Sequence, residues 1–544
     1  MRGRSGGGSV SAQMNSLGVS EQIEALYTRD LWNWDTNNEP YAVMASALPS
    51  TENGMVSIND DGNAEITVSL RAGLHWSDGA PITSADCAAW HETQMNDASS
   101  DALARGAYQS AVNSFEVIDD LTYKVTLNGA YADYLVALEE NAALICRYPG
   151  HVMSAIVEGG QKLEESEYFT NSGMYGETVG FGPYKMVEWN IGSDMTFVPN
   201  EYWPADMEGF QAPNYDRVVI RFIPDPSQLL NALELGEIDL SRIVVGLRES
   251  ANMLDGISTH SKTTANTESL WMRSGEIGND DAHGGGALND PLVRQAIIHA
   301  LDHPTWAEQI VGAGTEAPLS WYPDSFLDAD FPYLEYDLDG ANALLDEAGW
   351  VDSNGDGTRD KNGVELSNLR LFTTDDATRN AYKLLIQASL AEIGIGVDVF
   401  TEPAGQLYGG YSNGGTLNTF GWEMVIVVLG ASPISPVTGD RFHGCSGILS
   451  ADKPSGFNPW QHCDPEYDAV NDQLAVTFPG AERDALKAQV TRLFHDYYHG
   501  AVMFGKPDVY AIATAAVDFD SVANHVGGLT NNMYSQIEYW SPAG

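Results

Sequence analysis

Oxygen-bearing side chains alternate with other residues in one short acidic segment, an arrangement typical of calcium loops. Asp352, Asn354 and Asp356 occupy positions i, i+2 and i+4, a glycine follows, and Asp360 stands at the ninth position of a possible EF-hand loop. The twelfth position of such a loop needs a bidentate glutamate, but Gly363 occupies it. The segment therefore predicts a tight acidic turn rather than a calcium site, and we expect no bound metal.

Motifs of cofactor chemistry are missing from the sequence. It contains no His-Glu-x-x-His zinc motif and no P-loop. Residues 312–317 have the glycine spacing of a dinucleotide-binding fingerprint. That fingerprint must follow a strand, whereas these residues follow a helical pattern, so they do not predict a dinucleotide site. With 76 Asp and Glu residues, pairs of acids at catalytic spacing are expected by chance. We therefore predict a protein without cofactor or catalysis, and a secreted hydrolase that uses paired carboxylates is the alternative from another class.

Four cysteines are present, and none has the spacing of a zinc or thioredoxin-like motif. Cys445 and Cys463 flank a segment rich in Gly, Ser, Pro and Asn, where a disulfide would stabilise the fold by about 3 kcal/mol. We expect this disulfide, with two exposed thiols as the alternative. Cys87 lies on an apolar helical pattern and Cys146 ends an apolar run, so we expect two small buried hydrophobic side chains and hold a second disulfide as the weaker alternative.

Aromatic residues are the other candidates for contact with a ligand. Tyr408 and Tyr411 lie in a Gly- and Asn-rich segment that is too polar for a core strand, and Trp422 follows it. Trp271 lies in the segment Leu270-Trp-Met-Arg. Each ring taken singly fits a core position as well as a binding site. We expect at least one of them to line the site.

Short strand patterns alternate with amphipathic helical patterns along the chain, which predicts a mixed α/β fold. The pattern predicts a helix from about residue 84 to 95, with Thr83 or Ser84 as its N-cap. It predicts a hairpin over residues 115–127, and a helix over 377–393 that leads into a strand over 396–400.

Length and charge limit the classes of function. The 544 residues suffice for three or four domain-sized units. The chain has 27 Lys and Arg against 76 Asp and Glu, a net charge of −49, which repels nucleic acids and anionic membranes. No stretch approaches the roughly 18 apolar residues of a spanning helix.

The first residues carry charge without the apolar segment of a signal peptide, so we expect that signal to be absent from this chain or replaced. Residues 6–11 are typical of a flexible tether, either to a lipid anchor or as an artificial linker.

Six short sequence motifs, in this order along the chain, resemble those of a known protein family. They are ITVSLRAGLHWSDGAPITSADC at 66–87, GFGPYK at 180–185, NEYW at 200–203, ALELGEIDL at 232–240, PLVRQAIIHALD at 291–302 and ANALLDEAGW at 341–350. The chain thereby resembles the bacterial extracellular solute-binding proteins of family 5, the oligopeptide and dipeptide receptors of ABC importers.

The resemblance implies an α/β, two-lobed periplasmic-binding-protein-like fold with a ligand cleft between the lobes. Lobe I would comprise residues 1–50, 178–263 and 507–544, with an extra subdomain at 51–177, and lobe II would comprise 264–506. The implied function is that of an extracytoplasmic receptor, a monomer at the outer face of the membrane or in the periplasm. It would close around a peptide or related solute and deliver it to an ABC permease and ATPase. Nucleic acid is not an expected partner.

One segment departs from the resembling peptide receptors. They have a Gly-Trp pair after a strand, with an aspartate three residues beyond the Trp that holds the peptide ammonium. Here Leu429 stands for the Trp and Ser432 for the aspartate, and Asp440 is the nearest acid downstream. We therefore expect Gly430, Ala431 and Ser432 to contact a ligand without a charged clamp. A peptide remains the leading ligand, and a neutral solute such as an oligosaccharide is the alternative. The resemblance also implies a ligand contact for the ring of Trp271.

The first testable prediction concerns salt. A net charge of −49 destabilises the compact state by self-repulsion, which salt screens over about 8 Å at physiological ionic strength. We expect the melting temperature to rise as NaCl is raised from dilute buffer to about 0.5 M. A flat or falling series in differential scanning calorimetry would contradict this expectation.

Overall fold

The structure is a computed structural model of the chain. It describes residues 18–36, 39–95, 112–130, 132–137, 146–163, 166, 168, 178–190, 192–223, 225–262, 264, 266–275, 281–312, 315, 320–321, 327–329, 334–409, 411, 414–430, 444–450, 458–526 and 533–544. The chain divides into two compact units. The first unit comprises residues 1–262 and 508–544, and the second comprises residues 263–507.

The strands within the described ranges are numbered here in chain order. They are β1 Trp32–Trp34, β2 Pro40–Ala42, β3 Val56–Ile58, β4 Ala64–Ser69, β5 Val112–Asp119, β6 Thr122–Leu127, β7 Tyr184–Asn190, β8 Asp194–Pro199, β9 Val218–Arg221, β10 Leu240–Ile243, β11 Ile257–Lys262, β12 Asn266–Met272, β13 Asp360–Lys361, β14 Val364–Glu365, β15 Leu369–Thr374, β16 Val397–Glu402, β17 Met424–Gly430, β18 Gly500–Gly505 and β19 Asp508–Ala513.

The α-helices in the described ranges connect and cover these strands. They are Gly18–Tyr27, Ser84–Met95, Tyr134–Ala137, Gly150–Glu158, Pro226–Glu234, Arg248–Asn252, Pro291–His299, His303–Trp306, Leu338–Glu347, Ala377–Glu392, Ala404–Leu407, Pro465–Val476, Ala481–Asp496 and Phe519–Ala523. Among the described residues, no helix has the length and apolar character needed to cross a membrane.

The first unit contains several small sheets. Their strand orders are β1-β2, β3-β4-β6-β5, β7-β8-β9 and β10-β19-β11. Its C-terminal segment is tied into this unit by a buried ion pair, in which Arg29 Nη2 lies 2.7 Å from Glu538 Oε2. The carbonyl oxygen of Glu538 also accepts hydrogen bonds from Gln211 and Asn214. These contacts join segments that lie more than 300 residues apart in sequence.

The second unit is organised around one five-stranded sheet with the order β16-β15-β17-β12-β18. β15 runs parallel to β16 and to β17, while β12 runs antiparallel to both β17 and β18. The helix Ala377–Glu392 makes the crossover from β15 to β16. Since β17 lies on the other side of β15, the order of the parallel strands reverses at β15.

Aspartate N-caps begin two helices of the second unit, and several elements lie where the sequence predicted them. Asp376 caps the crossover helix by accepting a hydrogen bond from the backbone N–H of Arg379, and Asp290 caps the helix Pro291–His299 in the same way through Leu292. The predicted hairpin is the antiparallel pair β5-β6, and the predicted helix near residues 84–95 is Ser84–Met95. The α/β fold class is confirmed.

Both pairs of cysteines are bonded in the structure. Cys445 and Cys463 form a disulfide that closes the expected segment. Cys87 and Cys146 also form a disulfide, although the sequence favoured two separate buried thiols. Their burial was foreseen, but their pairing was not. The backbone N–H of Gly150 donates to Asp86 Oδ1 at 2.8 Å, and this close approach of two segments brings the cysteines together.

The acidic segment uses its side chains to hold its own backbone. Asp352 accepts hydrogen bonds from the N–H groups of Gly355 and Gly357, at 2.7 and 3.0 Å. Asp356 accepts one from Thr358, and Asp360 accepts two from Ser353. This geometry is that of successive tight turns.

A histidine is buried in the second unit at the start of the helix His303–Trp306. Neither ring nitrogen of His303 has a hydrogen-bond partner among the residues that the structure describes. Burial lowers the pKa of His303 from its ordinary value to about 3. The folded protein therefore keeps this ring neutral in mildly acidic solution, whereas the unfolded chain takes up a proton below about pH 6.5.

The second prediction follows from this difference in proton uptake. The contribution of His303 to stability is fully present above about pH 6.5 and is lost as the pH falls toward 3. Between pH 6.5 and 5 the loss is about 2 kcal/mol. His303→Phe removes the proton uptake at similar volume, so urea unfolding should depend less steeply on pH over this interval in the variant. Equal slopes in variant and wild type would contradict the assignment.

Candidate functional site

The ends of several strands lie together along one side of the five-stranded sheet, the side perpendicular to the strand direction. β15, β16 and β17 are parallel, so Thr374, Glu402 and Gly430 end their strands at the same edge. Asn266, at the start of β12, pairs with Gly430 and therefore lies there too. In α/β sheets, ligands bind outside the carboxyl ends of the strands where the strand order reverses. This edge, which we call the carboxyl edge, is therefore the candidate site in the second unit.

Glu268 is the charged group at the centre of the carboxyl edge. It lies in β12, opposite Val428 of β17, and is only 3 % exposed. The pairing of β12 with β18 shifts register between Glu268 and Ser269, an irregularity of the kind that re-aims side chains. A carboxylate buried in this way needs cations, because isolated burial of a charge costs several kcal/mol.

Two cations approach Glu268. Arg379 Nε lies 2.5 Å from Glu268 Oε1, and Lys506 Nζ lies 3.9 Å from Glu268 Oε2. The first is a charge-assisted hydrogen bond, and the second is a longer ion pair. The arginine side chain is 12 % exposed and the lysine side chain 47 %. Both cations therefore reach from the surface toward a carboxylate that is itself buried.

Arg379 is held by more than this ion pair. Its Nη1 donates to Thr374 Oγ1 at 2.6 Å and to the Tyr408 hydroxyl at 3.4 Å. Burial lowers the pKa of Arg379, but the charge of Glu268 and the hydrogen bond to it raise the pKa by more, so it lies above the ordinary value. The guanidinium is therefore fixed and permanently charged. Its Nη2 makes no hydrogen bond with any described residue.

Tyr408 is the predicted aromatic residue that the structure brings to this cluster. It follows the short helix Ala404–Leu407, and its side chain is 41 % exposed. Burial of its hydroxyl raises the pKa of Tyr408, with Arg379 opposing the rise and Glu268 adding to it. The hydroxyl is therefore neutral at physiological pH and contacts Arg379, while part of the residue stays exposed to solvent.

The other predicted residues of this region are only partly described. Gly430 ends β17 at the carboxyl edge, while Ala431, Ser432 and Asp440 lie outside the described residues. Tyr411 is half-buried, and its carbonyl oxygen accepts a hydrogen bond from Gly414. Their contacts with a ligand stay predictions.

Trp271 and Trp422 lie in the hydrophobic core of the second unit. Trp271 is 2 % exposed, and its ring centroid lies 4.7 Å from that of Trp460. Trp422 is fully buried, and its indole N–H donates to the carbonyl oxygen of Leu417. Both rings therefore pack in the core, and a contact of either ring with a ligand stays a prediction.

A second buried carboxylate marks the opposite edge of the same sheet. Glu423 Oε1 lies 3.2 Å from Arg273 Nη2 and 2.7 Å from Arg370 Nη2. Arg273 is itself deeply buried and also donates to the carbonyl oxygens of Trp422 and Gly275. This network links β12, β15 and β17 where the two parallel strands begin. It is a structural anchor rather than a candidate site.

Reasoning from the sequence missed Glu268, Arg379 and Lys506. The position of Arg379 could have indicated a functional or structural role. A cation in the first turn of a helix is disfavoured by the helix dipole, so a nearby anion is expected to compensate for it. Glu268 gave no such signal, because its neighbours Thr267 and Ser269 are polar as well. Their pairing could not be foreseen, since 111 residues separate them in sequence.

The sequence of the chain is similar to those of known solute-binding proteins. Residues 12–439 match the model of a family described as bacterial extracellular solute-binding proteins, family 5. The oligopeptide-binding protein AppA of Bacillus subtilis is 27 % identical over 401 residues, which cover 71 % of this chain and 67 % of that protein. The nickel-binding periplasmic protein of Escherichia coli is 22 % identical over 481 residues, covering 84 % and 83 %.

Solved structures show the same fold. AppA of Bacillus subtilis in complex with a nonapeptide has a TM-score of 0.69 at 18 % identity and covers 100 % of this chain and 97 % of that one. NikA of Brucella suis in complex with Fe(III)-EDTA has a TM-score of 0.76 at 19 % identity, covering 98 % and 97 %. The chain therefore has the two-lobed fold of periplasmic binding proteins.

The third prediction separates core aromatics from exposed ones. Trp271→Ala should destabilise the second unit by about 3–5 kcal/mol, because it leaves a cavity beside Trp460. Tyr408→Ala, the matched control at an exposed ring, should cost less than about 1 kcal/mol. Urea unfolding followed by circular dichroism measures both. Equal costs for the two variants would contradict the assignment of Trp271 to the core.

Proposed function

Because the chain belongs to the family 5 bacterial extracellular solute-binding proteins, we propose that it is a receptor that captures peptides for an ABC importer. It delivers them to the permease and ATPase and performs no chemistry on them. Its similarity to an oligopeptide-binding protein supports this proposal. The receptor acts as a monomer in the periplasm or at the outer face of the membrane, where residues 6–11 would serve as a tether to a lipid anchor.

The lobes predicted from the sequence form part of this proposal. Residues 1–50, 178–263 and 507–544 form lobe I, residues 51–177 its extra subdomain, and residues 264–506 lobe II.

The observation that carries the proposal is the fixed guanidinium of Arg379 at the carboxyl edge. Its Nε and Nη1 are engaged by Glu268, Thr374 and Tyr408, which leaves Nη2 to bind a ligand. A guanidinium binds carboxylates strongly through charge-assisted hydrogen bonds. Every peptide with a free C-terminus carries such a carboxylate. We infer that Arg379 holds the C-terminal carboxylate of the peptide, beside the exposed ring of Tyr408.

The other end of the peptide is expected to be held without a charged clamp. Ser432 stands where the resembling receptors have an aspartate, and a hydroxyl cannot neutralise an ammonium group. Acetylation of the peptide N-terminus should therefore be tolerated. An oligosaccharide is the less favoured ligand, because a neutral sugar offers no anion to Arg379.

The fourth prediction tests both ends of the ligand. We would measure thermal shifts and calorimetric affinities for peptides of equal sequence in four forms: free, N-acetylated, C-amidated and blocked at both ends. A ligand at 100 times its dissociation constant should add about 2.7 kcal/mol of stability. The free and N-acetylated acids should bind, while the amides should bind at least about tenfold more weakly.

Variants assign the effect to Arg379. Arg379→Gln should remove the preference for the acid, while Arg492→Gln, an exposed arginine on a surface helix, should leave it unchanged. Circular dichroism of each variant separates loss of binding from loss of fold. Equal binding of acids and amides, or stabilisation by oligosaccharides alone, would contradict the proposal.

A further inference from the structure

Lys506 occupies a defined position beside the proposed ligand site. It immediately follows β18, two residues before the chain passes into the first unit at residue 508. Its Nζ lies 3.9 Å from Glu268 Oε2, and Glu268 is the only acid within 4 Å of it among the described residues. Neither the family match nor the resemblance assigns a role to this lysine.

The backbone of Lys506 is tied to the neighbouring strand. Its N–H donates to the carbonyl oxygen of Asn266 at 2.9 Å, and its carbonyl oxygen accepts from Thr264 Oγ1 at 2.7 Å. Thr264 Oγ1 in turn accepts from the N–H of Asn266 at 3.1 Å. Three hydrogen bonds thus fix the stem from which the ammonium reaches the carboxyl edge.

The ammonium group of Lys506 changes the net charge around Glu268 and Arg379. Glu268 and Arg379 alone form a neutral pair, which attracts an anion only weakly. Asp376 also lies near Arg379, and it is exposed, as is about half of the Lys506 side chain, so water and salt screen both of these charges. Lys506 shares the charge of Glu268 and leaves the guanidinium with a net attraction for a ligand carboxylate.

We propose that Lys506 determines the charge of the ligand group accepted at Arg379: with it the site prefers an anion, and without it the preference is largely lost. This inference rests on the proposed function, because the peptide C-terminus is the anion considered. Lys506 need not touch the ligand. It acts through Glu268, and Glu268 must then act with the opposite sign, because the carboxylate repels the same anion.

The experiment compares two forms of one peptide, the N-acetylated peptide that gives the largest thermal shift. Its dissociation constants as free acid and as C-terminal amide are measured by calorimetry for wild type and three variants. Lys506→Gln should lower the preference for the acid about fivefold, and Glu268→Gln should raise it by a similar factor. Lys487→Gln, which removes one positive charge from a helix elsewhere in the second unit, should leave it unchanged.

The signs of these changes separate the possible results. A purely structural role for the cluster would weaken the binding of both peptide forms in both variants and leave their ratio unchanged, which overturns the inference. A preference that changes in the same direction in Lys506→Gln and Glu268→Gln also overturns it, while leaving peptide capture intact. Failure of wild type to bind either form of any peptide overturns the proposed function and the inference with it.

Discussion

The burial of Glu268 in a central strand obliges the protein to keep positive charge at the carboxyl edge of the sheet in the second unit. An unpaired carboxylate at this depth would cost several kcal/mol, so Arg379 and Lys506 are held beside it. The same sheet buries Glu423 at its opposite edge, again with two cations. There the network is closed, because Arg273 is as deeply buried as the acid and its donors are taken by carbonyl oxygens. At the carboxyl edge, in contrast, Nη2 of Arg379 makes no hydrogen bond with any described residue, and this difference favours the carboxyl edge as the proposed ligand site.

The topology of the sheet explains why the charges meet at that edge. β15 and β17 are parallel neighbours, and the helix that follows β15 begins directly above its carboxyl end. Arg379 in the first turn of that helix can therefore reach across to β12, which enters the sheet at the same edge. Its position near a helix N-terminus is unfavourable by itself, and the buried carboxylate compensates for it. The unfavourable position of Arg379 in its helix is thus explained by its ion pair with Glu268 in β12.

Elements with strong local signals could be predicted from the sequence. The amphipathic pattern predicted the helix that begins at residue 377, and alternation of apolar residues predicted the hairpin β5-β6. The site was harder, because its charges come together only through strand pairing. The burial of Trp271 could not be predicted from its sequence neighbours, because it depends on the place of β12 inside the sheet, where most of its residues are buried. The Cys87–Cys146 bond likewise depends on two segments that approach each other only in the folded chain.

In the proposed receptor, the guanidinium of Arg379, positioned by Glu268, holds a negatively charged end of the ligand. The most direct measurement is a crystal structure of the protein with a peptide bound. We expect a ligand carboxylate oxygen about 3 Å from a guanidinium nitrogen of Arg379, with the Arg379–Glu268 ion pair retained. A structure in which the ligand carboxylate lies elsewhere, or in which a ligand ammonium occupies the place of Arg379 beside Glu268, would contradict it.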